Sequence, residues 1–174
     1  PVNGKFSEEQ AQLYNFYVKC YRAILDNIRP YVAPVQVRKE AAEEMARILA
    51  KAIFNQAHHR KAAENFVKSY ARSSKRQYAS LGHGVGMATH DVGDHSKMLL
   101  PGMVFTIEPA LRVPEDNIYI RLEDLIVITE TGAEIVSDFV PMDIKGIEKL
   151  MRERGMLDRF KPLTDKDYNK YLNQ

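Results

Sequence analysis

The hydrophobic pattern of the chain changes its period once, and this change constrains the fold more than any other feature. Up to about residue 72, apolar residues recur every three or four positions, which is the period of a helix with one buried face. From about residue 103, short runs with strand-like composition are separated by turn sequences. Helices followed by an antiparallel sheet form an α+β arrangement, and we therefore predict an α+β fold.

The first helix has a clear start and a clear apolar face. Ser7 and Gln10 have the spacing of a capping box, in which each side chain satisfies a free backbone donor. Apolar residues then recur at helical steps over 14–28. We predict one long helix here, ended by Pro30 and Pro34.

Three further helices are predicted from the same signals. One begins at about Val37 and carries an apolar stripe that reaches Ile53, and a shorter one spans 62–72. The last is capped by Asp143 and stopped by Gly155.

Strands are predicted over 103–107, 118–129 and 134–136, with turn sequences between them. No repeat, low-complexity tract or linker divides the chain, so residues 1–155 are predicted to form one domain. Residues 156–174 are polar and are predicted to be a loosely held tail.

Composition gives no support to several classes of protein. The net charge of +2 gives no basis for a nucleic-acid or membrane partner, and no apolar run approaches the ~20 residues of a membrane span. The only cysteine, Cys20, cannot form an internal disulfide, which favours a reducing compartment or a protein indifferent to redox, and we expect a cytoplasmic protein. The chain opens at Pro1 without a signal-peptide pattern, so we expect a processed protein or a piece of a longer one.

A basic stretch over 58–76 is a candidate nucleic-acid footprint, because it starts with His58-His59-Arg60-Lys61 and continues with further lysines and arginines. Its aromatic residues fit the buried stripe of the third helix. We interpret the stretch as the solvated face of that helix.

The segment over 82–93 is the most unusual part of the sequence. Glycines surround His83, and His90 follows seven positions later. Glycines remove side chains and let the backbone or a ligand approach an imidazole closely. A lone histidine is more often structural, but two histidines in such a segment favour a functional site.

Two glutamates follow on the predicted strands. Glu108 ends the strand over 103–107, where a buried carboxylate requires a metal or an arginine nearby. In the strand over 118–129, the period of two places Arg121 and Glu123 on one face. Each signal alone has a structural alternative: a strand-end glutamate in solvent, or an exposed sheet face with ion pairs.

Together, His83, Glu108 and Glu123 form a borderline-hard ligand set that suits manganese, cobalt or zinc. A carboxylate can bridge two ions at the ~3.5–4 Å separation found in two-metal hydrolases. His90 and Arg121 would then support the ligands or contact substrate. One histidine and two glutamates are still too few for a two-metal site.

These segments resemble the pita-bread metallopeptidases, in particular the Xaa-Pro branch that contains aminopeptidase P and prolidase. The resemblance covers about residues 1–155. Its motifs are Gly82-His83-Gly84-Val85-Gly86, His90-Asp91-Val92-Gly93, the run from Pro101 to Pro109, and Arg121-Leu122-Glu123-Asp124. It implies a curved antiparallel sheet flanked by helices, of which this chain is the C-terminal part, truncated at its N-terminal side.

The resemblance also implies roles. His83, Glu108 and Glu123 would bind two divalent metals, with Glu123 bridging them and Glu108 also handling a proton. His90 would contact the substrate carbonyl or its tetrahedral intermediate, and Arg121 would orient the bridging glutamate. The implied reaction is hydrolysis, by metal-activated water, of the peptide bond before a proline in second position. Manganese is the first expectation, with cobalt or zinc as alternatives, and the family often forms homodimers.

Three departures limit the resemblance. The family's two aspartate ligands would precede Pro1, so we expect this chain to be nearly inactive by itself. Ala79 stands where Xaa-Pro enzymes commonly have a histidine, and the turn over 109–112 lacks the common glycine and tyrosine. The alternatives are a silent pita-bread protein-binding module, a creatinase-like amidinohydrolase and a methionine aminopeptidase.

Overall fold

Three helices come first along the chain, and two small antiparallel sheets follow. The structure, a computed structural model, describes residues 1–75, 80–93 and 97–155; Ala79 and the predicted tail lie outside these ranges. The helices are α1 (Glu8–Leu25), α2 (Pro34–Lys51), α3 (Ala57–Ser73) and α4 (Ile144–Leu150). The strands are β1 (Val104–Ile107), β2 (Leu111–Val113), β3 (Ile118–Ile120), β4 (Asp124–Ile128) and β5 (Ala133–Ile135), and a 3-10 turn spans Pro114–Asp116. The predicted α+β order is confirmed, and no helix among the described residues could cross a membrane.

The capping box at the start of α1 is confirmed. The Ser7 hydroxyl accepts a hydrogen bond from the Gln10 N–H, and the Gln10 side chain accepts one from the Ser7 N–H. The helix ends at Leu25, before the prolines that were predicted to end it. Pro34 instead occupies the first turn of α2, where its missing N–H removes no helical hydrogen bond.

Other helix boundaries also differ from the predictions. Ile53 lies beyond the end of α2 and is 78% exposed, so its place on the buried stripe was wrong. α3 begins at Ala57, five residues earlier than predicted. Asp143 caps α4 as predicted, but the helix ends at Leu150 instead of continuing toward Gly155.

The continuous strand predicted over 118–129 is wrong, because residues 121–123 separate β3 from β4. β3 pairs with β2, a strand that was not predicted, whereas β4 lies between β1 and β5. The interruption faces residues 108–110 of the neighbouring segment. Pro109 lies there and has no N–H to donate to a ladder, so regular pairing stops on both sides.

The core lies between the helices and the sheets. α1 supplies its centre with fully buried side chains, and β1, β2 and β4 supply the facing layer. Among the side chains that are at most 1% exposed are Leu13, Tyr17, Tyr21, Ile24, Met45, Phe105, Leu111 and Ile126. α1 packs against the sheet at the interruption, so its side chains contact the residues next to Glu108 and Glu123.

Candidate metal centre

The register of the strands places Glu108 opposite Glu123. Ile107 faces Asp124 in the pair of β1 and β4, and Leu111 faces Ile120 in the pair of β2 and β3. The two pairs share one register, so they form a single interrupted hairpin. Glu108 and Glu123 are the first residues beyond the last pair of β1 and β4, and they lie across from each other in the interruption.

The Tyr17 hydroxyl fills the interruption. It donates a hydrogen bond to the carbonyl oxygen of Pro109 at 2.6 Å and accepts one from the N–H of Leu122 at 2.9 Å. Pro109 and Leu122 are opposite in the register, so the hydroxyl takes the place of a direct ladder bond between them. Burial raises the pKa of Tyr17 above its ordinary value, which keeps this donor protonated.

A second tyrosine of α1 anchors the start of β4. The Tyr21 hydroxyl donates to Oδ2 of the buried Asp124 at 2.8 Å, and the Ser137 hydroxyl donates to Oδ1 at 2.6 Å. Burial, with the hydrogen bond to Asp124, raises the pKa of Tyr21. The residue next to Glu123 is therefore fixed from two directions.

The glycine-rich segment lies along the other edge of β1. Gly84 forms an antiparallel bridge with Phe105, and the N–H of Thr106 donates to the His83 carbonyl at 2.9 Å. A Cβ on Gly82 would lie 1.6 Å from the Thr106 carbonyl oxygen, so this approach requires glycine. By strand alternation His83, Thr106, Glu108 and Glu123 share one face.

The His83 imidazole points toward both carboxylates. Its Nδ1 lies 3.0 Å from the carbonyl oxygen of Gly84, which can only accept, so Nδ1 carries the proton. Nε2 lies 3.4 Å from Oε1 of Glu108 and 3.7 Å from Oε1 of Glu123. A neutral imidazole of this tautomer presents a lone pair to two carboxylate oxygens, an arrangement that a shared cation stabilises.

His90 lies beside His83, with ring centroids 4.6 Å apart in an edge-to-face arrangement. Ligand atoms of His83, His90 and Glu108 all lie within 4.8 Å of one another. Asp91 organises this turn, because it accepts hydrogen bonds from the N–H groups of Val92 at 2.7 Å and Ala88 at 3.3 Å. These backbone donors, with that of the residue before Ala88, hold the pKa of Asp91 below its usual range.

Arg121 also lies in the interruption of the hairpin. Its Nη1 lies 2.7 Å from Oε2 of Glu108, and its Nη2 lies 3.9 Å from Oε2 of Glu123. The compensating charge predicted for Glu108 is therefore present, and the shorter contact is with Glu108, not with Glu123. The arginine neutralises one face of the carboxylate pair while the opposite oxygens face His83.

The donor set of this site, which we call the candidate metal centre, fits a divalent metal. It consists of His83, Glu108 and Glu123, with His90 adjacent. Metal–ligand bonds of ~2.0–2.2 Å place neighbouring ligand atoms about 3.4 Å apart, close to the separations from Nε2 of His83. Imidazole and carboxylate are ligands that borderline-hard divalent metals share.

A cavity of about 650 Å³ adjoins Glu108 and Arg121. Phe66 and Tyr70 of α3 line one part of it, and Arg112 lines another. Its volume lies within the range of ~300–1,000 Å³ that is typical of small-ligand sites.

The sequence interpretation missed the supporting residues. Tyr17 and Tyr21 were assigned only to the apolar stripe of α1, although their hydroxyls hold the segments that carry both glutamates. A chemical argument could have identified them, since a fully buried tyrosine needs a hydrogen-bond partner for its hydroxyl.

The fold and the candidate metal centre are those expected of a metallopeptidase, and the comparison with known families agrees with this class. Residues 2–130 match metallopeptidase family M24, and the chain belongs to this family. Its fold is the pita-bread fold of that family, of which the described sheets and helices are a part.

The relatives are peptidases. The chain is 34% identical over 165 residues to the Xaa-Pro aminopeptidase of Escherichia coli, covering 87% of the chain and 36% of the relative. It is 31% identical over 163 residues to that of Haemophilus influenzae, covering 87% and 37%. Zinc-substituted Escherichia coli aminopeptidase P, solved in complex with product, matches with a TM-score of 0.63 and 33% identity over 88% of this chain and 37% of that one. The chain spans little more than a third of the length of these relatives.

Proposed function

We propose that this chain is part of the catalytic domain of a metal-dependent aminopeptidase or dipeptidase that hydrolyses the bond between an N-terminal residue and proline. The observation that carries the proposal is the convergence of His83, Glu108 and Glu123 on one face beside β1. Family membership and the Xaa-Pro relatives support the same substrate class.

Each side chain of the candidate metal centre has a separate role in the proposed reaction. A divalent metal, when bound, polarises the scissile carbonyl and lowers the pKa of a water molecule. His83, Glu108 and Glu123 would hold the metal, and Glu108 would take the proton of the attacking water and pass it to the departing amine. His90 donates a hydrogen bond to the substrate carbonyl oxygen as negative charge develops there. Arg121 holds the Glu108 carboxylate in place.

Among the residues that the structure describes, the ligands that meet at the candidate metal centre are too few for two metals. The resemblance places two further aspartates upstream of Pro1, and we expect full activity to require them. The isolated chain then holds metal weakly and is nearly inactive. Manganese is the expected ion, and cobalt or zinc could replace it because the donor set does not discriminate strongly among them.

The substrate is a peptide with proline in second position, and the cavity beside Glu108 and Arg121 is large enough for a short peptide segment. We also propose that the protein is cytoplasmic and forms a homodimer. The buried thiol of Cys20 fits a reducing compartment.

The decisive experiment is hydrolysis of Xaa-Pro peptides with added manganese. It compares this chain, a longer form that contains the two upstream aspartates, and the longer form with Glu123→Ala. We expect activity only in the unsubstituted longer form, with a loss of at least about 100-fold on substitution of the ligand, since removing even a residue that supports a ligand costs up to that much. Peptides that begin with methionine but lack proline, and creatine, are the control substrates.

Rapid hydrolysis by the 174-residue chain alone would contradict the incomplete-site part of the proposal. A longer form that cleaves no peptide with any of the three metals would contradict the whole, and would favour a protein-binding module. Preference for a control substrate would assign another reaction on the same fold.

A further inference from the structure

A second group of ligand-type side chains lies away from the candidate metal centre. His58 and His59 at the start of α3, and Asp116 in the 3-10 turn between β2 and β3, offer ligand atoms that all lie within 4.8 Å of one another. We propose that these three residues bind a borderline divalent cation such as zinc. The cavity beside them shares no lining residue with the cavity beside Glu108.

The two imidazoles converge on one atom. Nε2 of His58 lies 2.8 Å from Oδ2 of Asp116, and Nε2 of His59 lies 2.6 Å from the same oxygen. The rings are nearly perpendicular, with centroids 4.6 Å apart. Adjacent residues of a helix do not normally face each other, so this convergence on one point is unusual. It brings three ligand-type side chains to one point, from which a coordination sphere can form once the atoms move slightly apart.

The buried histidine forms the fixed part of the site. His59 is 2% exposed, so packing holds its ring in place, and it does not lie on the solvated face predicted for this stretch. Its Nδ1 is buried and has no hydrogen-bond partner among the described residues. Its Nε2 donates the 2.6 Å hydrogen bond to Oδ2 of Asp116, so a cation that binds Nε2 must replace that hydrogen bond. Nδ1, which has no hydrogen-bond partner in the described part of the chain, can then carry the proton of the neutral ring.

The other two ligands are able to adjust. A zinc ion with bonds of ~2.0–2.2 Å separates neighbouring ligand atoms by about 3.4 Å, so these atoms must move apart by roughly 0.6–0.8 Å. The side chains of His58 and Asp116 are 31% and 35% exposed, and Asp116 lies in a short surface turn. Small side-chain rotations there are enough to open the site.

Water completes the coordination from the adjoining cavity of about 430 Å³. Ser7, Glu9 and Gln56 line the same cavity and supply hydrogen-bonding groups around it. Two imidazoles, one carboxylate and water form a set typical of zinc and other borderline ions. The bound ion would join the start of α3 to the turn between β2 and β3, which makes its role structural.

The test is a zinc titration against a chromophoric chelator in the His83→Ala background, which disables the candidate metal centre. Asp116→Asn and His58→Gln are compared with Glu115→Gln, a matched removal of one negative charge from the same turn. Loss of a direct ligand should lower the zinc affinity by at least about 100-fold. This is the largest loss that is typical when a residue that only hydrogen-bonds to a ligand is removed. Glu115→Gln should bind zinc as the background does.

Equal zinc affinity in Asp116→Asn and Glu115→Gln would overturn the proposal. Circular dichroism establishes that each variant is folded. Should the ligand variants unfold, the cobalt-loaded His83→Ala chain gives the answer: two strongly shifted imidazole N–H signals in its proton NMR spectrum support the site, and their absence overturns it. Because His83 is absent throughout, the result is independent of the peptidase proposal.

Discussion

At the scale of single residues, Gly82 determines how closely His83 approaches β1. A methyl group there would meet the Thr106 carbonyl oxygen at 1.6 Å, and a backbone atom cannot rotate away. Gly82→Ala should therefore push the segment away from β1, cost about 1–3 kcal/mol of unfolding free energy and weaken manganese binding. Gly132→Ala is the matched control, because nothing lies within 4 Å of the position that its methyl group would take. Urea unfolding and a manganese titration check both, and equal effects of the two substitutions would contradict the argument.

The ion pair of Arg29 and Glu40 makes a second prediction at this scale. Arg29, with help from Gln36, lowers the pKa of Glu40 to about 2. The carboxylate is charged in the folded state at pH values where the unfolded chain, with an ordinary glutamate pKa near ~4.3, takes up a proton. The stabilisation is therefore present above about pH 4.3 and is lost as the pH falls toward 2.

Glu40→Gln should flatten the pH dependence of the unfolding free energy in this acid range. The effect should be about 1 kcal/mol or less, because both side chains are partly exposed. Glu43→Gln, an exposed carboxyl on the same helix, is the control. Urea unfolding at pH 6 and pH 3 measures the difference, and identical pH profiles of the two variants would refute the prediction.

At the scale of elements, α1 holds open the hairpin that carries both glutamates. Tyr17→Phe removes the hydroxyl that bonds Pro109 and Leu122, and leaves two backbone groups without a partner. We expect a loss of about 1–3 kcal/mol in stability and a weaker metal affinity, because Glu108 and Glu123 lose their fixed spacing. Tyr14→Phe is the matched control on the same helix, since its hydroxyl donates to the carbonyl of Met142 instead.

Denaturation and metal titration of the two phenylalanine variants separate the effects. Both should be less stable than the parent, but only Tyr17→Phe should bind metal more weakly. A parallel loss of metal affinity in Tyr14→Phe would show that general destabilisation, not the position of the hairpin, is responsible.

The helices and strands also show which parts of the fold could be predicted from the sequence alone. Helical period and capping residues predicted α1 and α4 because these signals are local. The three-residue strand β2 was missed, since so short a segment carries no period. The interruption over 121–123 was missed because it depends on Pro109 and Tyr17, which are distant in sequence and meet only in the fold.

The same distinction holds for the candidate metal centre. The residue types of His83, Glu108 and Glu123 were predictable, because imidazole and carboxylates in unusual local contexts point to metal chemistry. The contact of Arg121 with Glu108 was not, because strand alternation placed this arginine beside Glu123 on one continuous strand. The pairing of the two segments, which the sequence does not reveal, brings it within reach of the opposite glutamate.

At the scale of the whole molecule, the candidate metal centre connects three separate parts of the chain. His83 belongs to the segment at one edge of β1, Glu108 follows β1, and Glu123 precedes β4. A metal that binds only when these parts are assembled stabilises the folded state over the unfolded one, by about 2.7 kcal/mol at a concentration of 100 times the dissociation constant. Manganese should therefore raise the unfolding temperature, and chelation should lower it again.

This prediction is measured best in the Asp116→Asn background, which leaves the candidate metal centre as the site under test. Glu123→Gln added to that background should abolish the manganese-dependent rise, because the site then loses a charged ligand while its shape is kept. Glu134→Gln, an exposed carboxyl on β5, is the matched control and should keep the full rise. The rise must also grow with the logarithm of manganese concentration once the site is saturated, since binding and folding are linked by mass action. Two outcomes would mean that these three segments do not meet around a cation. One is an unfolding temperature that does not change with manganese, and the other is a manganese-dependent rise that is equally large with and without Glu123→Gln.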